Sequence, residues 1–563
     1  MIVDFPPGLL LIIGAVLIPF IKGNLRQVYM LALPVLGILQ LTLLDAGSFG
    51  TIAMFGFELT HVRVDKLSLI FGYIFYVAAG LSVIFAWQND DLVEQASAMV
   101  YVGAAIGATF AGDLITLFIY WELTAVASVF IIWAGRTDRA YSAAMRYLLI
   151  QIISGVLLAA GAVVRAAETG SVAFNDLGLD SPGGLLILLA FGIKCAFPLL
   201  HNWLPDAYPE ATPTGTVFLS AITTKLAVYV LARGYAGTEE LIWIGAAMAA
   251  LPIFYAVMEN DLRRVLAYSL NSQLGYMVVG IGIGTTLALN GAVAHAIVHI
   301  LYKGLLFMSI GAVLLRVGSA NASDLGGLRR TMPITMVFCI IGAGSISAFP
   351  VFSAFVSKSL ILSAAAKEGH ELAFLILLFS SACALMYAGI KIPFFTFFGK
   401  DCEKRPQEAP LNMLLAMFGA AALSMWIGIF PETLYALLPF PVAYVPYTLT
   451  HVVTMFQLLG LSALVFAILY TMGLFPKHFR STLLDFDFSY RWLAPRISGW
   501  LMDRGSGAWE TIRTDLLGML EGVIKFAFRH HGPDSVLANS NAIGNAAGVI
   551  AAVFFIFLIA IFM

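Results

Sequence analysis

Eight ionisable side chains fall inside stretches that are otherwise apolar. Glu122 lies in LITLFIYWELTAVASVFIIW, Lys194 in FGIKCAFPLL and Lys225 in AITTKLAVYVLA. His295, His299 and Lys303 share AHAIVHILYKGLLF, Lys358 follows in FVSKSLIL, and Lys391 in AGIKIPFF. A charge held at the centre of a bilayer costs at least about 2.5 kcal/mol on insertion scales, so such residues mark function by default. An amine held between a desolvating environment and a nearby carboxylate can load and release a proton near neutral pH. Glu122 is accordingly read as a relay carboxylate paired with a lysine, against the plainer alternative of a structural salt bridge. The spacing of four between His295, His299 and Lys303 puts all three on one helical stripe, and imidazole is a natural proton relay. Two histidines one turn apart also suit a metal, but no third ligand is visible and none is expected. Lys358 and Lys391 lie nearer to span ends, where a lysine can instead snorkel to the interface.

The elements that must position these groups are helices. The chain of 563 residues is 60% hydrophobic and 11% charged, where a soluble protein carries about 25% charged residues. Apolar runs of helix length recur from end to end, each long enough to cross roughly 30 Å of hydrocarbon. The period-two alternation of a membrane barrel is absent, which leaves helices as the spanning element. The expectation is an all-α polytopic membrane protein of about 14–16 spans. Its divisions are N-terminal spans (1–95), two repeats (96–232 and 241–397), further spans (411–475), a cytoplasmic segment (476–534) and a terminal span (543–563). The opening MIVDFPPGLLLIIGAVLIPF has no basic region or cleavage site and reads as the first span rather than a removable signal. Lys and Arg favour alternate loops (Lys22 and Arg26, Arg136 and Arg139, Arg263 and Arg264, Arg329 and Arg330), which places the N-terminus outside a bacterial inner membrane. The acidic loops 88–95 and 205–212 fall on the inside without supporting that assignment.

Two spans are broken by proline and read as copies of one another: FGIKCAFPLLHNWLPDAYPEATPTG with Lys194, and SISAFPVFSAFVSKSLIL with Lys358. Each precedes a span holding one lysine, Lys225 and Lys391. An odd number of spans separates the copies, so they are expected to be inverted five-helix repeats, a pattern typical of transporters. Smaller features take structural readings. Asp113 caps a helix, Gly280, Gly282 and Gly284 pack helices, Asp206 and Glu210 cap a helix or face the path, and Arg146 falls where His295 falls in the second copy. Gln273 lies near the second-copy position of Glu122. Beyond 476, Trp509, Ile512, Leu516, Leu520, Val523 and Ile524 recur at helical spacing beside basic residues including Lys477, Arg480 and Arg504. This predicts an amphipathic surface helix of roughly 24 residues, or about 36 Å.

The four cysteines have no metal or cluster spacing, no phosphate-binding loop is present, and nothing suggests nucleic acid. No cofactor is expected, and an ATP-driven pump is excluded. FIYWEL, GIKCAFPLLHNWLPDAYPEATPTG, LAYSLNSQLGYM, HAIVHILYKGLLF and FVSKS resemble, in order, the antiporter-like subunits shared by respiratory complex I and the Mrp-type sodium/proton antiporters, over roughly Lys66 to Phe430. The Glu122 neighbourhood is most similar to the Mrp D subunit. The tail is more similar to the largest antiporter-like subunit of complex I. The resemblance implies a hydrophilic axis in the membrane plane running through Glu122, Lys194, Lys225, His295, His299, Lys303, Lys358 and Lys391. It also implies membrane-subunit partners and exchange of protons for a monovalent cation such as sodium. A redox-driven pumping subunit, of the kind classed with NADH dehydrogenase (quinone), is the alternative left open.

Overall fold

Where a run of apolar residues has no water to satisfy its backbone, it must close its own hydrogen bonds, and here it does so as helices. The computed structural model of the chain describes residues 5–54, 56–476, 483, 485–531 and 548–556. In chain order the elements are α1 (Leu9–Leu17), α2 (Gly23–Thr42), β1 (Gly47–Met54), β2 (Phe57–Val64), α3 (Lys66–Phe85), α4 (Leu92–Phe110), α5 (Leu114–Trp133), α6 (Asp138–Thr169), α7 (Pro182–Cys195), α8 (Trp203–Ala207), α9 (Pro213–Ala221) and α10 (Thr223–Gly234). The series continues with α11 (Glu240–Met258), α12 (Leu262–Ile283), α13 (Thr286–Val317), α14 (Pro333–Ile346), α15 (Ser353–Lys367), α16 (Glu371–Ala384), α17 (Lys391–Pro393), α18 (Leu411–Ile429), α19 (Pro431–Tyr435), α20 (Leu449–Thr471) and α21 (Ala494–His531). Among the described residues ten helices are long and apolar enough to cross a membrane by length and composition, and three shorter apolar helices accompany them. The chain packs as two units, Met1–Leu483 and Leu484–Met563.

Two runs of helices match one another in length. Adding 148 to both bounds of α4 gives α11, and adding it to both bounds of α6 gives α13. The start of α5 maps onto that of α12, and the caps follow: Asp113 and Asp261 each accept a first-turn N–H, as do Thr137 and Thr285. Gly170 and Gly318 close α6 and α13 in the left-handed conformation. Isolated bridges Asp113–Ala173 and Asp261–Asn321 repeat at the same shift.

The two breaks also share a backbone. Both follow a 14-residue helix, α7 or α14, and both run through Ala-Phe-Pro. Ala196 and Leu199 have φ of 61° and 70°, and Ala348 and Val351 have 55° and 74°. Proline cannot donate or continue the helix, so the chain reverses locally before α8 or α15. A third break was not legible. The span expected at Pro213–Ala232 is interrupted at Ile222 (φ −107°, ψ −70°), with no glycine or proline at the spot. Lys391 stands between two π-helical turns, Leu385–Ile390 and Phe394–Phe398, a local widening that often marks functional positions.

The all-helical expectation is corrected by one antiparallel hairpin, with Gly47 paired to Val64 and Met54 to Phe57. Leu59, Val62 and Val64 are its buried positions along FELTHVRV, and only Val62 and Val64 keep the spacing of two that marks one face of a strand. The acidic loops find their role as well. Asp90 pairs with Arg26 (2.7 Å), Asp91 with Arg136 (2.7 Å) and Glu210 with Arg139 (2.7 Å), so acidic and basic loops share one face. Arg63 and Arg233 meet Asp65 on the other.

The second unit is described by itself. Its helix α21 has 38 residues, about 57 Å long, and exceeds the roughly 24 residues expected. Trp509, Leu516, Leu520, Val523 and Ile524 are exposed on it. Residues 548–556 are helical. The rest of the expected terminal span, with Lys477 and Arg480, lies outside the described residues.

Close packing of α11 on α12 rests on glycine. A Cβ at Gly245 would meet the Val279 nitrogen at 2.6 Å and the Gly275 oxygen at 2.7 Å. Gly245→Leu is expected to destabilise the chain by roughly 1–3 kcal/mol, read as a lower Tm in detergent. Gly460→Ala, whose Cβ meets nothing within 4 Å, is expected to leave Tm unchanged or raise it.

Candidate functional site

Helix α5 brings Glu122 to the middle of the first repeat. Its carboxyl is partly covered, and Oε1 is buried without a hydrogen-bond partner. Gly155 on α6 makes the room: a Cβ there would fall on the Glu122 carboxylate. The 148-residue shift sets Gly155 against Lys303 and Glu122 against Leu270, not Gln273 as the sequence suggested. Lys303 on α13 reaches back to α12, donating to Ser269 Oγ (2.6 Å) and the Leu266 carbonyl (3.3 Å). Where the first copy projects a carboxylate from α5 into a gap on α6, the second projects an ammonium the other way.

Lys194 is fully buried at the end of α7. It donates to the Trp121 carbonyl (2.6 Å) and to Thr124 Oγ1 (2.7 Å), and sits 4.1 Å from the centre of the Trp121 ring. No ion pair within 4.0 Å joins it to Glu122 among the described residues. The two groups interact electrostatically without contact, so the direct pairing expected from sequence is absent. Lys225, also fully buried, donates to the Ser220 carbonyl (2.5 Å), which the break at Ile222 leaves free of its helical donor.

The second copy follows the same chemistry. Lys358 donates to the carbonyl of Ile346 (2.9 Å), the last residue of α14, and lies 4.9 Å from the Tyr276 ring centre. Lys391 donates to the carbonyls of Ala256 (3.0 Å), Val257 (2.8 Å) and Glu259 (2.6 Å) at the end of α11. Neither lysine snorkels: they are 1% and 0% exposed. Between the copies, His295 Nδ1 meets Ser357 Oγ (2.9 Å), while His295 Nε2 and both ring nitrogens of His299 are buried without partners among the described residues.

Arg146 pairs through two bonds with Asp206 (2.8 and 3.0 Å) at the first break. Three charged residues are buried that the sequence reading took at most for loop charges. Glu94 is 2% exposed and accepts from Thr212 Oγ1 (2.9 Å) and Thr214 Oγ1 (2.5 Å). Glu259 is 6% exposed, and its carboxylate accepts from the N–H groups of Asn260 and Asp261. Arg263 donates to the carbonyls of Pro209 (2.7 Å) and Ala211 (2.7 Å) and to Thr216 Oγ1. All three stand at span ends, where charge is ordinary in sequence; only the folded packing buries them.

Gly155→Ala tests the first copy's geometry. Overpacking the Glu122 carboxylate is expected to cost roughly 1–3 kcal/mol. Most of that loss should disappear in the Gly155→Ala/Glu122→Ala double variant, a coupling readable by thermal unfolding in detergent.

Residues 111–384 match the family described as NADH:quinone oxidoreductase/Mrp antiporter, transmembrane. The chain is 29% identical to the A subunit of the Na(+)/H(+) antiporter of Alkalihalophilus pseudofirmus, over 75% of this chain and 60% of that protein. It is 34% identical to the NADH-quinone oxidoreductase subunit N of Desulforudis audaxviator, over 50% of this chain and 60% of that protein. It thus spans about three fifths of each curated relative. Its fold matches a chain in the structure of the membrane-bound sulfane sulfur reductase, an archaeal respiratory membrane complex. That match has a TM-score of 0.71 and 24% identity, and covers 99% of both chains.

Proposed function

We propose that this relative of the antiporter-like membrane subunits moves protons through a bacterial inner membrane in exchange for a monovalent cation such as sodium. It works together with other membrane subunits, and its N-terminus lies on the outer side. One observation supports this above the rest. Five lysines at the middle of the fold are at most 1% exposed, and every hydrogen bond they make among the described residues goes to a neutral oxygen. A structural ammonium in hydrocarbon would be expected to carry its own carboxylate. Amines held by carbonyls and hydroxyls stay satisfied as –NH₃⁺ and can give up a proton without leaving an orphaned carboxylate behind. In this reading Glu122, Lys194 and Lys225 serve the first repeat and Lys358 and Lys391 the second. His295, His299 and Lys303 join them. The two repeats are inverted, so each opens towards a different face.

A second reading is a proton-pumping subunit driven by a redox partner. The likeness to a respiratory-complex chain over its whole length favours it. The two readings part on what drives transport.

Membrane vesicles carrying the assembled complex decide between them. Sodium-driven pH change is expected for the wild type, falling at least tenfold in Lys194→Ala and Glu122→Ala. Unchanged transport in both variants would remove these residues from the path. Proton movement that needs a reductant and ignores sodium would establish the pump.

A further inference from the structure

Between Lys194 and the face that carries the arginine-rich loops lies a set of buried hydroxyls that no lysine uses directly. Thr124, the acceptor for Lys194, stands one turn from Ser128 on α5. Ser128 Oγ meets the hydroxyl of Tyr147 on α6 (2.9 Å). Tyr101 on α4 meets Thr223 Oγ1 (2.5 Å) and accepts from the Thr223 N–H (2.9 Å), at the break between α9 and α10. The buried Tyr208 hydroxyl interacts with those of Tyr101, Tyr147 and Thr223 but makes no hydrogen bond of ordinary geometry among the described residues. Seven residues before Tyr101, on the same side of α4, Glu94 holds the hydroxyls of Thr212 and Thr214. Every one of these residues except Thr212 is at least nine-tenths buried.

We propose that these groups form the proton path from the arginine-rich face to Lys194, running from Glu94 through the Tyr101–Thr223–Tyr208–Tyr147 hydroxyls and Ser128 to Thr124. The proposal rests on the transport reading above and names its route on one side. Several features argue for a path rather than packing. Four helices, α4, α5, α6 and α10, and the turn that holds Tyr208 bring their hydroxyls together, although a tyrosine buried for packing alone needs only one partner. Glu94 is a buried carboxylate with no cation bonded to it among the described residues, at the end of the set nearest the loops. The break at Ile222, which no glycine or proline requires, places the Thr223 N–H on Tyr101 instead of in a helix. From Glu94 to Tyr101 the rise is about 10 Å, a gap that hydrogen-bonded water can span. Each hydroxyl accepts a proton on a lone pair and passes its own to the next oxygen. Glu94 becomes neutral when it takes a proton from the loop face and returns to carboxylate on passing it on, the hydroxyls end each transfer neutral, and the Lys194 amine that receives the proton becomes –NH₃⁺. In the reverse direction the ammonium gives it back and Glu94 releases it.

The test uses the whole complex in vesicles, with Tyr101→Phe, Ser128→Ala and Glu94→Gln each compared with wild type and with Lys194→Ala. Sodium-driven proton turnover at saturating sodium is expected to fall about tenfold in each hydroxyl variant. Half-saturating sodium should stay unchanged, the solvent deuterium isotope effect should rise, and Glu94→Asp should recover most of the rate lost in Glu94→Gln. Wild-type turnover in both Tyr101→Phe and Ser128→Ala, with Lys194→Ala inactive, overturns the path and leaves the transport reading standing. Loss accompanied by a changed sodium requirement and an unchanged isotope effect also overturns it, because the residues are then structural. Indifference of Lys194→Ala itself would overturn both.

Discussion

An ammonium inside hydrocarbon must find oxygen, and a continuous helix has almost none to give, because each carbonyl is already taken by the N–H four residues on. A helix has free carbonyls only where it ends. Breaks in this chain put helix ends in the middle of spans, and two of the five lysines sit on them, while Lys391 sits on the ordinary end of α11. Lys358 takes the last carbonyl of α14, Lys391 the last carbonyls of α11, and Lys225 a carbonyl freed by the break after α9. The helix macrodipole adds to this, since the C-terminal end carries partial negative charge and favours a cation by about 0.3–1 kcal/mol, more when partly buried. For Lys225 and Lys358 break and lysine are one device, since the break supplies the acceptor that the amine takes; Lys194 and Lys303 are held instead by a hydroxyl and a carbonyl on the neighbouring helix.

The device is used twice but not identically. Lys194 precedes its Ala-Phe-Pro break and finds its oxygens on the neighbouring α5, whereas Lys358 follows its break and reaches back across it to Ile346. The 148-residue register makes the difference sharper at the centre. One copy sets Glu122 against Gly155; the other sets Lys303 against Ser269 and the Leu266 carbonyl. Two similar frames with opposite charge at the corresponding place cannot bind a proton in the same way. The two halves thus differ in which helix carries the ionisable side chain.

Much of this was legible in the sequence, for definite reasons. Burying a charge is so costly that each lysine and Glu122 announced itself by its apolar neighbours, and proline announced the two main breaks. The break at Ile222 gave no such sign, because it is set by the contact of Thr223 with Tyr101 on another helix. Glu94, Glu259 and Arg263 sit where a span meets a loop, and a charge there is unremarkable until neighbouring segments close over it. The hairpin was missed because two strands of eight residues without a sustained period of two carry little weight among spans of twenty. The second-copy partner of Glu122 was misplaced by three residues because the copies have diverged in sequence, while their helix caps have kept register.

Polar atoms left without protein partners bear on how the two halves communicate. Among the described residues these include Glu122 Oε1, both side-chain amide atoms of Gln151, Thr224 Oγ1, Asn271 Oδ1, Gln273 Nε2, His295 Nε2 and both nitrogens of His299. A buried polar atom without a partner costs about 1–3 kcal/mol, and folded proteins rarely tolerate several together. These atoms lie on α5, α6, α10, α12 and α13; α10 and α13 carry Lys225 and Lys303, and α5 and α12 supply oxygens to Lys194 and Lys303. Their shared need is for small molecules that both donate and accept, and water meets it. An imidazole with both nitrogens free can take a proton from water on one side and return one on the other. A lysine bound only to carbonyls cannot accept a proton while it is an ammonium. In the proposed transport reading, the stretch from Lys225 to Lys358 through His299 and His295 conducts best when the amines at its ends are in opposite states, which would link the two halves through the protonation of the histidines between them.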